Sequence, residues 1–340
     1  MLRIKALKFS LICFLAGLFM ISCLFSPAYP QVTHKKTEPL EKRVSELEKE
    51  LARLKKEIDF YNLTQLPDYL ILCEKRIPLK RDDVRERFER EMLQFLENKG
   101  LLVILIKRYF KYYNLINDEI KKFGLPPDLI FLVIAESYLN PRALSKAEAA
   151  GLWQFIKETG KKEGLFINDH LDERYNIKKA TRSALMHLKK LNEEFNDWFI
   201  AIAAYNAGAA RLREAITNQD TRDFFDLFLP EETERYIFRI ISLKEIILNR
   251  ERYGIMIDEK SLYKPFVLKE VMIETDRETH ISIFAKAMGV SFKAFRDINL
   301  HLRRYRLPKG VYLINVPADK YDVFMKNIKD YTYISILREK

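Results

Sequence analysis

The sequence predicts a mainly α protein, with an all-α domain preceded by a short coiled-coil helix and followed by a small βααβ module. Three observations lead there. Residues 67–254 carry apolar residues at helical spacing between capping and breaking residues, with almost no strict alternation. Leu40, Val44, Leu47, Leu51, Leu54, Ile58 and Tyr61 are separated alternately by four and three residues, which is a heptad seam. Beyond Tyr263 the pattern changes to short strand-like and helix-like runs. The 340 residues are about two domains' worth, and 48% hydrophobic residues suffice for real cores.

Residues 1–28 read as an export signal, with Arg3, Lys5 and Lys8 ahead of an apolar run from Phe9 to Ile21. Two exits stay open. Ser26-Pro-Ala28 offers the small residues a signal peptidase reads, whereas Met20-Ile-Ser-Cys23 resembles a lipobox, which would attach the protein to a membrane through a lipidated Cys23. Later apolar runs such as 101–106 are too short to span a bilayer. Periplasm or cell envelope is the expected location. A polar linker, 29–39, precedes the heptads of 40–62. With Val44, Leu51 and Ile58 at a positions, parallel pairing sets Arg43 against Glu48 and Glu50 against Lys55, both attractive, so this segment is expected to self-associate.

In the domain spanning 66–255, Gly124-Leu-Pro-Pro-Asp128 opens a helix that Asn140-Pro141 is expected to stop. Further helices are predicted over 178–196, 198–205, 209–217 and 231–249. In the module spanning 262–330, strands are predicted over 267–273 and 310–316, with helices over 281–288 and 292–298 divided by Gly289.

Composition narrows the chemistry. Ten scattered glycines assemble no phosphate loop, the five histidines form no pair at ligand spacing, and Cys13, Cys23 and Cys73 form no CxxC, so no cofactor and no metal is expected. The net charge of +11 suits an anionic partner. No basic run is interleaved with aromatics, so nucleic acid is not expected. The best chemical clue is Leu129-Ile-Phe-Leu-Val-Ile-Ala-Glu-Ser137, a nearly all-apolar helix ending in one carboxylate, Glu136. Desolvation raises a carboxyl pKa, and a neutral carboxylic acid is what protonating a glycosidic oxygen requires.

Glu136-Ser-Tyr-Leu-Asn-Pro141, Ser145, Gly151-Leu-Trp-Gln-Phe155 and Ala203-Ala-Tyr-Asn-Ala-Gly208 follow in this order. With Asp172-Glu-Arg-Tyr175, Asp197-Trp198 and Glu232-Thr-Glu-Arg-Tyr236, they resemble the family 1 lytic transglycosylases, of the membrane-bound D type. The resemblance implies a lysozyme-like α-domain that cleaves the β-1,4 bond between N-acetylmuramic acid and N-acetylglucosamine in peptidoglycan strands, leaving a 1,6-anhydro end. It makes Glu136 the acid and then the base. Ser137, Ser145 and Gln154 become substrate-binding positions along the sugar groove, and Tyr205, Asn206 and Tyr236 shape the pocket. Trp153 is expected mainly to pack in the core. One departure is informative, because Glu148 fills a slot where the pattern carries glycine. A second carboxylate there could activate water, as in goose-type lysozymes, and give a hydrolytic muramidase; a non-catalytic peptidoglycan-binding scaffold is the other alternative. The tail, with Gly289-Val-Ser291, Ile298-Asn299 and Pro308-Lys-Gly310, resembles a LysM module but lacks the Gly-Asp that usually opens the first helix.

Overall fold

The computed structural model describes residues 40–64 and 66–339. The export signal with Cys23 and the linker lie outside the described residues. The chain divides into two compact units, residues 1–57 and 58–340. The heptad segment is a single helix, α1 (Leu40–Thr64), and Leu40, Val44, Leu47, Leu51 and Leu54 all lie exposed on it. Among the described residues no helix is long and apolar enough to cross a membrane.

After α1 comes a feature absent from the sequence prediction, a hairpin of β1 (Ile71–Leu72) and β2 (Lys75–Arg76). Its turn, Cys73-Glu74, is left-handed at both residues without the Asn-Gly chemistry that normally signals it. Distant groups hold it instead. Asp128 Oδ2 accepts the Cys73 N–H at 2.7 Å, and Lys244 Nζ donates to the Ile71 carbonyl at 2.8 Å while pairing with Asp128.

Eight helices then build the body: α2 (Asp82–Glu97), α3 (Lys99–Lys122), α4 (Leu129–Ser137), α5 (Lys157–Lys162), α6 (Ile177–Phe195), α7 (Trp198–Ala207), α8 (Ala209–Gln219) and α9 (Glu231–Leu248). Caps set several starts: Asn98 on α3, Asn176 on α6, and Asp197 on α7, where its Oδ1 accepts from the Phe199 and Ile200 N–H groups. Helix α9 is central, packing on α2, α4 and α7, while α4 also packs on α3. Covered on these sides, α4 can be apolar all round, and every one of its residues except Glu136 is buried. It stops at Ser137 rather than at Asn140-Pro141. Tyr138 and Leu139 both take left-handed backbone first, and Arg108 Nη1 donates to the Tyr138 carbonyl at 2.8 Å.

The tail contains β3 (Leu268–Thr275), β4 (Thr279–His280), α10 (Ser282–Met288), α11 (Phe292–Ile298), β5 (Arg306–Leu307), β6 (Gly310–Pro317), α12 (Tyr321–Asn327) and β7 (Ile334–Glu339). The predicted βααβ run is present, with β3 antiparallel to β6 in register from Leu268 opposite Pro317 to Thr275 opposite Gly310. The sequence reading lacked α12 and β7, which add a third strand in the order β6-β3-β7. The tail core of Val271, Ile273, Phe284, Phe295, Ile314 and Phe324 takes in Leu171 from the helical body. Backbone bonds join the two parts, from Asp172 N–H to the His301 carbonyl at 2.8 Å and from Arg303 N–H to the His170 carbonyl at 2.7 Å. Arg182 bridges Glu119 of α3 and Glu270 of β3.

Candidate active site

Glu136 emerges at the end of α4 as the one residue of that helix that is not buried. Helix α9 faces it with Glu232, Tyr236 and Arg239, at i, i+4 and i+7, a spacing that lines up one helical face. The Tyr236 hydroxyl donates to Glu136 Oε1, and Arg239 Nη2 donates to the Ala135 carbonyl at 3.4 Å. Burial pushes the Glu136 carboxyl up to about 7; the Tyr236 hydrogen bond and the Arg239 charge pull it back, and the Glu232 charge pushes it further up. Burial also raises the phenols of Tyr205 and Tyr236 well above their ordinary value, with the Glu136 charge adding to both, so they stay neutral donors.

Tyr205, on α7, donates its hydroxyl to the Trp153 carbonyl at 2.7 Å. Its neighbour Asn206 accepts from Thr233 Oγ1 at 3.2 Å, tying the end of α7 to the first turn of α9. Trp153 is fully buried, its indole N–H on Thr181 Oγ1 at 2.9 Å. The adjacent Gln154 is left-handed and donates from Nε2 to the Gly151 carbonyl at 2.8 Å. Ser145 is exposed on the same loop, where its Oγ accepts the Ala149 N–H at 3.1 Å. Ser137 differs from its expected position on the groove. Its hydroxyl is buried and donates to the Val133 carbonyl at 3.3 Å, because the next position along the helix turns away from the face that presents Glu136.

Arg174 scaffolds the loop. Buried beside Asp172, with which it pairs at 2.8 Å, it donates from Nη1 to the carbonyls of Glu148 at 2.8 Å and Phe155 at 3.1 Å. Glu148 has φ +58, so the family pattern's glycine at this slot answers to a left-handed backbone, and the Glu148 side chain is exposed. The acid whose charge bears on Glu136 is Glu232. Sequence reasoning named neither Glu232 nor Arg239 as a site residue, although their helical spacing from Tyr236 was the signal available.

A carboxyl raised on folding binds its proton more tightly in the folded state, so stability is lost as pH rises from about 4.5 to about 7. Urea titrations across this window are expected to show that loss in the unmodified chain and a smaller slope in Glu136→Gln. Equal slopes would contradict the raised value.

Fold and site together define a mainly α protein built around one protonatable carboxylic acid. Residues 114–228 match the family model described as the transglycosylase SLT domain. Over 175 residues the chain is 36% identical to membrane-bound lytic murein transglycosylase D of Escherichia coli K12, covering 50% of this chain and 39% of that protein. It is 26% identical over 169 residues to membrane-bound lytic murein transglycosylase C of Actinobacillus pleuropneumoniae serotype 5b, covering 42% of this chain and 46% of that one. Among solved structures, lytic transglycosylase Slt from Pseudomonas aeruginosa is similar at 24% identity over 44% of this chain and 26% of that chain, with a TM-score of 0.33. Residues 114–228 thus resemble a transglycosylase SLT domain, and over half its length the chain is similar to membrane-bound lytic murein transglycosylase D. It spans 39% of the length of that curated relative.

Proposed function

We propose that this chain is a lytic transglycosylase of the cell envelope that cleaves the β-1,4 bond between N-acetylmuramic acid and N-acetylglucosamine. The observation that carries the reading is Glu136, a carboxyl with its pKa raised to about 7 and fixed by the Tyr236 hydroxyl. Protonated, it gives its proton to the glycosidic oxygen as the C1–O bond breaks. The carboxylate so formed takes the proton from the sugar's own C6 hydroxyl as that oxygen closes on C1, giving the 1,6-anhydro ring and restoring the acid. No water enters, and a tethered hydroxyl has an effective molarity that free water cannot match. Tyr205, Asn206, Ser145 and Gln154 bound the substrate cleft in this reading. The exposed Glu148 gives the hydrolytic alternative no support, and a pure binder has no use for a desolvated acid. Release of soluble fragments from purified peptidoglycan by the full chain tests this; absence of any release would favour the scaffold reading.

Export by residues 1–28, with attachment through Cys23 as one of its two routes, fits the same reading. The exposed leucine seam of α1 supports self-association through 40–62. Deleting 40–62 is expected to shift the protein toward monomer in light scattering while turnover of small soluble glycans per chain stays constant. A full-length protein already monomeric at tens of micromolar would contradict it. The LysM-like tail is proposed to add a second hold on insoluble peptidoglycan. Its core includes Leu171 of the helical body, so the assay is sedimentation of the full chain rather than of the tail alone.

A further inference from the structure

A cavity of about 510 Å³ opens where four segments of the chain meet. Arg108 and Lys111 reach it from α3, Arg142 from the segment after α4, Lys293 and Asp297 from α11 of the tail, and Tyr263 from the connection between body and tail. Four cations thus face one carboxylate, an excess of three positive charges. Asp297 is already engaged, accepting from Arg142 Nη2 and, at 2.8 Å, from Lys293 Nζ. Among the described residues neither Arg108 nor Lys111 makes an ion pair. Arg108 spends one N–H on the Tyr138 carbonyl, and the Lys111 ammonium lies over the rings of Tyr112 and Phe266, 5.2 and 5.0 Å from their centroids. Burial pushes that ammonium below its ordinary value, a cost that an incoming anion would offset.

We propose that this cavity binds a carboxylate of the peptide carried by the substrate's sugar, so that body and tail jointly select peptide-bearing strands. The assignment rests on the glycan-cleaving reading of Glu136. Two considerations identify the ligand. Leu139 lines the cavity only three residues after Glu136, a chain length of at most about 11 Å, so an occupant lies within reach of a sugar seated at the acid. The N-acetylated sugars linked through amides to the peptide carry no charge of their own, so the anionic groups of such a strand are on the peptide. A carboxylate meeting Lys111 and the free Arg108 N–H groups would make charge-assisted hydrogen bonds.

The test is equilibrium binding of a peptide-bearing tetrasaccharide and of a peptide-free one whose lactyl carboxylates are capped as neutral methylamides to the full chain carrying Glu136→Gln, which blocks turnover. The peptide-bearing glycan is expected to bind about tenfold tighter, the size of one hydrogen bond to a charged group. Adding Lys111→Gln should abolish the gap while leaving peptide-free binding unchanged, which also reports an intact cleft, and Lys111→Arg should preserve it. No gap, or a gap that survives Lys111→Gln, would overturn the pocket assignment alone. Failure to bind either glycan would overturn the glycan reading and the pocket with it.

Discussion

Glu136→Gln is expected to lower cleavage of peptidoglycan by about 10²–10⁴-fold while the chain stays folded. The amide is nearly isosteric, and its oxygen can still accept the Tyr236 hydroxyl, so α4 and α9 remain tied. It has no acidic proton to deliver to the departing oxygen and no carboxylate to take one back. Both halves of the proposed cycle therefore fail together. Residual activity within a few fold of the unmodified chain, with matching circular dichroism, would remove Glu136 from the mechanism.

The second large effect is on stability. Gly151 has φ +77, and a Cβ added there would lie 2.0 Å from the carbonyl oxygen of Arg174, a backbone atom that no side-chain rotation can move. Left-handed strain and the forced shift together are expected to cost about 4 kcal/mol in Gly151→Ala. At about 2–4 °C per kcal/mol for a unit of this size, the melting temperature should drop by about 10 °C. The shift would also displace the Arg174 scaffold that holds the Glu148 and Phe155 carbonyls, so cleavage should fall as well. A melting temperature within about one degree of the unmodified chain would show that the loop repacks at little cost.

The contrast between Gly151 and the β1–β2 hairpin explains what the sequence could disclose. Helices α6, α7 and α9 were legible because apolar periodicity and side-chain caps are encoded within each segment, and Glu136 stood out because eight buried residues precede or adjoin it on α4. The hairpin was not legible. Its turn lacks local chemistry and is fixed by Asp128, 55 residues away, and by Lys244. Strand β7 was missed for a similar reason, since six residues of weak alternation become a strand only by pairing with β3. Within the site, the resemblance supplied Tyr236, but the rotation that puts Glu232 and Arg239 on the same face and turns Ser137 inward follows from helix geometry applied residue by residue. Glu148 marks the boundary. The sequence displays its departure from glycine, and only the backbone angle shows why glycine belongs there.

The most direct measurement is mass spectrometry of the fragments that the full chain releases from purified peptidoglycan. If Glu136 works alone and the C6 hydroxyl closes the ring, the muramic ends will be 1,6-anhydro, lighter than reducing ends by one water. Predominantly reducing ends would mean that an activated water completes the reaction, and the account of a single recycled acid would be wrong.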